Sequence, residues 1–178
     1  KKGSMVALVG ESGSGKSVSA LSILKLLDKK AKVEGSILYH TSDNKTIDLA
    51  KADDKTIREI RGQKIAMIFQ EPMTSHNPAY TCGNQVIEAI RAHKNISAAA
   101  ARQKAIDLFT EVQLPNPPAM LNRYPHEISG GQKQRVMIAI AMCNEPDLLI
   151  ADEPTTALDV RVQKNILQLI KKLQVQNN

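Results

Sequence analysis

Residues 10–17, GESGSGKS, match the pattern G-x-x-x-x-G-K-[ST] at each fixed position: Gly10, Gly15, Lys16 and Ser17. The flanks have the form this pattern needs. Residues 5–9, MVALV, are a short apolar run, and Val18, Leu21, Leu24 and Leu27 recur at helical spacing, so the local reading is strand, glycine loop, helix. Gly10, Gly13 and Gly15 let backbone N–H groups turn inward around phosphate oxygens, where a Cβ would crowd the anion. A helix beginning near Lys16 aims free N–H groups and its positive dipole end at the same oxygens. The Lys16 ammonium reaches the outer phosphates and the Ser17 hydroxyl serves Mg²⁺.

Composition narrows the class. A chain of 178 residues, 42% hydrophobic and 24% charged, suits one globular domain with a sizeable core. No apolar run has the length of a membrane span and nothing resembles a signal peptide. The net charge of +6 is spread along the chain; only Lys29, Lys30 and Lys32, and the pair Lys171 and Lys172, cluster. With 3% aromatics and no Trp there is no platform for stacking bases, so nucleic acid is not an expected partner. Cys82 and Cys143 stand in no metal-ligand spacing and read as reduced packing residues of a cytosolic protein. The chain starts at Lys1 and stops within a helical pattern at QVQNN, as expected for a piece of a longer polypeptide.

Strands and helices alternate along the sequence. Residues 35–40 and 46–49 read as short strands around the turn of Thr41, Ser42, Asp43 and Asn44, and residues 53–61 as a helix. Residues 64–69, KIAMIF, form the near-continuous apolar run of a strand covered on both faces, ending at Gln70. Residues 71–81 are a loop. Helices follow at 83–94 and 97–113, before Pro115, Pro117 and Pro118 interrupt the pattern. A buried helix opens at Ser129, Gly130 and Gly131 and runs to about residue 144. Residues 147–151 are a second strand-length apolar run that delivers Asp152 and Glu153 to its carboxyl end, and Val162, Ile166, Leu169, Ile170 and Leu173 stripe a last helix. The expected fold is α/β with a mainly parallel sheet and a helical insertion from about 72 to 145.

A parallel sheet binds its ligand at the carboxyl ends of its strands, and those ends here carry Gly10, Gln70 and Asp152. Asp152 is placed to serve Mg²⁺, directly or through water, and Glu153 to orient and deprotonate an attacking water. In ISGGQKQR, Ser129, Gly130, Gly131 and Gln132 form a second anion site at a helix mouth. It lies apart from the first, so it is expected to cap the nucleotide of a neighbouring subunit.

GESGSGKS, Gln70, ISGGQ, LLIADEP and TTALD, in this order, resemble the nucleotide-binding subunit of an ABC transporter along all 178 residues. IAMIFQEPMTSHNP and GNQVIEAI are similar to the ATPases of dipeptide, oligopeptide and nickel importers. The resemblance implies a P-loop NTPase core (RecA-like) over residues 1–71 and 146–178, with an ABC α-helical subdomain inserted at 72–145. It implies Gly10 to Ser17 and Val18 as ATP contacts, Gln70 as sensor of Mg²⁺ and water, and Ser129, Gly130, Gly131 and Gln132 as the signature. Asp152 and Glu153 match Walker B and the catalytic glutamate, and Asp159 the D-loop. The implied catalytic set is thus Glu153, Gln70 and Lys16, and the implied metal set Ser17, Gln70 and Asp152.

The same resemblance implies two ATPase subunits or domains stacked head to tail over two ATP molecules, transmembrane permease partners and, through them, a solute-binding protein. The site of action would be the cytoplasmic face of a bacterial inner membrane, with residues 72–78 as transmission surface. Ile128 replaces the commoner Leu ahead of the signature. His76 stands where the importer group usually has Leu, either altering permease docking or lying as an exposed loop residue. The family's adenine-stacking aromatic and switch histidine fall outside these residues; His126 is read as a helix-entrance residue and Tyr124 and Tyr39 as packing. Two other readings share the motifs. A DNA-repair or chromosome ATPase would need a long coiled coil between Gln70 and Ser129, where no heptads occur; a non-hydrolysing regulatory module would leave Glu153 without a task.

Overall fold

The computed structural model describes residues 3–28, 30–41, 43–70, 75–156 and 158–176. Lys1, Lys2, Lys29, Ser42, Glu71, Pro72, Met73, Thr74, Ala157, Asn177 and Asn178 lie outside the described residues, and with them part of the basic cluster, one residue of the first turn and the start of the expected transmission surface.

In chain order the elements are α1 (Lys16–Ile23), β1 (Leu38–His40), β2 (Thr46–Asp48), α2 (Asp54–Ile60), β3 (Ile65–Ile68) and α3 (Cys82–Arg91). They continue with α4 (Ala98–Glu111), α5 (Pro117–Met120), a 3₁₀ turn at Pro125–Glu127, α6 (Gly130–Met142), β4 (Leu148–Ala151) and α7 (Val160–Gln176). β3 and β4 pair in parallel, Ile65 opposite Leu148 through Ile68 opposite Ala151, and β1 and β2 form an antiparallel hairpin.

The burial of β3 explains its unbroken apolar sequence. Side chains alternate across a strand, so Ala66 and Ile68 enter a core made with α3, α4, α6 and α7, in which Phe109, Val86, Ile90, Ile138 and Ile166 are fully enclosed. Ile65 and Met67 enter a second core with Leu24, Leu49, Ile57 and Ile60. The hairpin is tied to the start of β4 by the Tyr39 hydroxyl, which donates to Asp147 Oδ2 at 2.6 Å. Burial, and then this carboxylate, hold the Tyr39 phenol well above its ordinary value.

The helix starts are set by side chains visible in the sequence. Asp53, Thr81, Ser97 and Ser129 each accept from a backbone N–H of the turn they open. Three local expectations differ from the structure. Residues 5–9 form no strand: they pair with no other segment among the described residues, and Val6 and Val9 are 85% and 89% exposed. An apolar run becomes a strand only when a neighbour completes its ladder. The first helix ends at Ile23 rather than reaching Leu27, because the Arg61 guanidinium donates to the carbonyls of Leu24 and Lys25, both at 2.7 Å, and Lys25 turns to φ 49°. Pro117 and Pro118, expected only to break a helix, also begin α5, capped by the side chain of Asn116.

His76 also departs from expectation. It is 5% exposed, with Nε2 at 2.9 Å from the Lys133 carbonyl oxygen on α6, so it is a buried strut and not a loop-surface residue. Cys82 and Cys143 are free and buried, and burial pushes both thiols up to about 11, as befits packing residues. No helix among the described residues is long and apolar enough to cross a membrane.

The tightest joint in the helical core is at Gly83, where a Cβ would lie 2.6 Å from the Leu121 carbonyl oxygen and 2.8 Å from Leu121 Cα. Backbone atoms cannot step aside as a side-chain tip can. Gly83→Ala is expected to destabilise the protein by about 2 kcal/mol or more, whereas Gly130→Ala, inside α6 with its nearest neighbour at 3.7 Å, is expected to be neutral or slightly stabilising. Urea unfolding followed by circular dichroism measures both.

Candidate functional site

The loop of residues 10–17 closes on itself through the Ser14 amide, which donates to the Glu11 carbonyl at 3.2 Å. Gly13 and Gly15 adopt φ 78° and 90°, a region costly for side-chain-bearing residues, and Gly15 sits as the left-handed cap of α1. A Cβ on Gly10 would fall 2.7 Å from Ser14 Oγ. The Lys16 ammonium arches across the loop and donates to the carbonyls of Gly10 and Glu11, each at 2.8 Å. That places a full positive charge at the mouth of the loop, beside the first amides of α1. Glu11, Ser12 and Val18 are exposed around the rim.

The parallel pair brings the other groups to this loop. The Asp152 amide donates to the Ile68 carbonyl at 3.0 Å, extending the β3–β4 ladder by one step and setting Asp152 and Glu153 beside Gln70. Ser17 Oγ donates to Asp152 Oδ1 at 3.0 Å, spanning 135 positions of sequence. Gln70 Nε2 donates to Glu153 Oε2 at 2.9 Å. Gly10, Lys16, Ser17, Gln70, Asp152 and Glu153 thus lie together at one end of the β3–β4 pair.

Ser129 to Gln132 occupy a different place. They form a reciprocal capping box: the Gln132 amide donates to Ser129 Oγ at 3.3 Å, and the Ser129 amide to Gln132 Oε1 at 3.0 Å. Of the four orphan donors of a helix start, the box satisfies two, and among the described residues nothing accepts from the amides of Gly130 and Gly131. Among the described residues no hydrogen bond joins this site to the phosphate loop. Its neighbours are Leu158, 3.7 Å from where a Gly130 Cβ would lie, and Val162, 3.0 Å from that of Gly131. The turn into α6 is held by Glu127, whose carboxylate accepts the Tyr124 amide at 2.7 Å and is thereby kept below the usual carboxylate range. His126 stacks on Tyr124, with ring centroids 5.5 Å apart.

Asp159 acts locally as the cap of α7, accepting from the amides of Arg161 and Val162 at 3.1 and 3.0 Å. Two residues with a place in this region carry no motif of their own. Gln163 donates to the carbonyls of Thr155 and Leu158, both at 3.0 Å, fixing the segment between Glu153 and α7. Thr156 donates to the carboxylate of Glu153 at 3.0 Å. The one sequence signal for Thr156 is its spacing, three residues after an acid, as in a turn closed by a hydroxyl.

A family model described as ABC transporter matches residues 1–156. A putative peptide import ATP-binding protein of Brucella melitensis is 51% identical over 174 residues, 97% of this chain and 52% of that protein. A glutathione import ATP-binding protein of Salmonella typhimurium is 51% identical over 176 residues, 98% of this chain and 28% of that protein. The chain therefore spans about half, or less, of the length of these relatives. Among solved structures, a dimeric ATP-binding cassette in a post-hydrolysis state bound to ADP and Pi superposes with TM-score 0.82 at 33% identity, over 99% of this chain and 72% of that one.

Asp159 separates local from remote roles. Asp159→Ala is expected to lower stability by about 1 kcal/mol through the lost cap, and Asp159→Asn, which keeps an acceptor at Oδ1, by a few tenths. Equal losses in urea unfolding would show that the cap is not what Asp159 supplies to the fold.

Proposed function

We propose, for a chain that belongs to the ABC transporter family, that it binds and hydrolyses ATP to energise an importer, with di- and oligopeptides as the cargo class. The observation that carries the reading is the convergence of Ser17 with Asp152 and of Gln70 with Glu153 at the phosphate loop. The names of the peptide and glutathione import relatives support the cargo class.

In this reading the amides of residues 10–17 and the Lys16 ammonium hold the phosphate oxygens and offset charge as the terminal phosphoryl group departs. Glu153 orients a water through its carboxylate and takes its proton, so that ATP and water become ADP and phosphate. Gln70 holds that carboxylate and senses the water. Ser17, Asp152 and Gln70 offer a hydroxyl, a carboxylate and an amide oxygen, hard donors that suit Mg²⁺. So few protein ligands also fit an ion that keeps waters and binds substrate phosphates instead of a protein cage. When bound, Mg²⁺ supplies charge neutralisation at the phosphates.

The uncommitted amides of Gly130 and Gly131 suit a negatively charged group brought from outside the chain. We assign that group to the ATP of a second ATPase subunit or domain, stacked head to tail, with Asp159 at the seam. Residues 72–145 are the proposed helical subdomain between the core and transmembrane permease subunits, at the cytoplasmic face of a bacterial inner membrane, with a solute-binding protein acting indirectly. Since His76 is buried against α6, the exposed Tyr80 is a better candidate for permease contact.

Glu153→Gln in the full-length protein should slow turnover and trap the ATP-bound pair. The expected result is a doubling of mass with Mg-ATP but not with Mg-ADP, abolished by Ser129→Arg. A mass that stays monomeric with ATP bound, or doubling that survives Ser129→Arg, would contradict the head-to-tail reading.

A further inference from the structure

A carboxylate at the end of a side chain turns easily, because the last torsion of Glu is broad and two-fold. Glu153 is held against that freedom. Its Oε2 accepts from Gln70 Nε2 at 2.9 Å on one side and from Thr156 Oγ1 at 3.0 Å on the other, and among the described residues Oε1 receives no hydrogen bond. The backbone is fixed at the same point. Glu153 has φ 46°, an uncommon region for a residue with a side chain, and its carbonyl accepts from the Thr156 amide at 3.3 Å. Thr156 Oγ1 also lies 3.3 Å from that carbonyl, but its single proton serves the nearer carboxylate oxygen.

We propose that Thr156 is a positioning residue for ATP hydrolysis: with Gln70 it fills Oε2 of Glu153, fixes the plane of the carboxylate and leaves Oε1 as the atom that accepts the proton of water. The assignment rests on the ATPase reading above. Gln70 comes from the end of β3 and Thr156 from the turn after β4, so the clamp joins two parts of the chain. A hydroxyl that served the turn alone would act on the Glu153 carbonyl, whereas here its shorter bond is to the reacting group.

The test is ATP turnover by the full-length protein with its membrane partners, comparing the unsubstituted protein, Thr156→Val, Thr156→Ser, Glu153→Gln and the double variant Thr156→Val with Glu153→Gln. Removing one hydrogen bond to a charged group is expected to lower kcat about tenfold in Thr156→Val. KM for ATP and the urea midpoint should stay within twofold and within error, respectively. Thr156→Ser should restore most of kcat. In the Glu153→Gln background the valine should cost nothing further, since the group it positions has been removed.

A Thr156→Val enzyme with unchanged kcat overturns the assignment, as does a serine variant no better than valine, or a loss that persists in the Glu153→Gln background. A loss shared between kcat and the urea midpoint also overturns it, as a stability effect of the turn. If the unsubstituted protein turns over no faster than Glu153→Gln, the ATPase reading falls, and this assignment with it.

Discussion

The parallel pairing of β3 with β4 is the constraint on which the site depends. These two short strands are far apart in sequence, yet their register puts Gln70 just past the end of one and Asp152 and Glu153 just past the end of the other. A slip of one residue would send Ala66 and Ile68 into the wrong core and carry Asp152 away from Ser17. The same pairing therefore decides both which side chains are buried and which oxygens face the phosphate loop. Parallel strands need a long crossover, and here the crossover is the helical insertion that ends in α6.

That insertion is more than a connector. Its core includes Ala66 and Ile68 from β3 and Ile166, Leu169 and Leu173 from α7, so the strand and the last helix are packed as one body with α3, α4 and α6. The start of α6 is thereby fixed against the segment leading out of Glu153, through Leu158 on Gly130 and Val162 on Gly131. One chain thus joins two half-sites mechanically: its own acid, held by Gln70 and Thr156, and the helix start proposed to cap the nucleotide of its partner.

Much of this was legible in the sequence because the signals are local. GESGSGKS fixes its own backbone through glycines and a lysine, KIAMIF states its burial on both faces, and Ser129 announces the helix it caps. What stayed hidden was settled by partners elsewhere in the chain. Residues 5–9 have the composition of a buried strand, but a ladder depends on a neighbour that composition does not reveal. The end of α1 is set by Arg61, which reaches back 37 positions to Leu24, and His76 is buried because α6 presents a carbonyl to it. Thr156 and Gln163 belong to the stretch around TTALD, where only the aspartate carried a motif. Their hydrogen bonds to Glu153, Thr155 and Leu158 come from the path of the turn, which sequence spacing suggests without fixing.

The central claim is that each nucleotide site is completed by the signature of another copy. The most direct test pairs differently tagged full-length chains and measures ATP retained by the purified mixed pair. Lys16→Ala in one copy with Ser129→Arg in the other should leave one composite site whole and retain ATP. Both substitutions in one copy, paired with an unsubstituted partner, should damage both sites and retain none. If the phosphate loop and the signature of the same chain formed the site, the two outcomes would be exchanged, and that result would contradict the account.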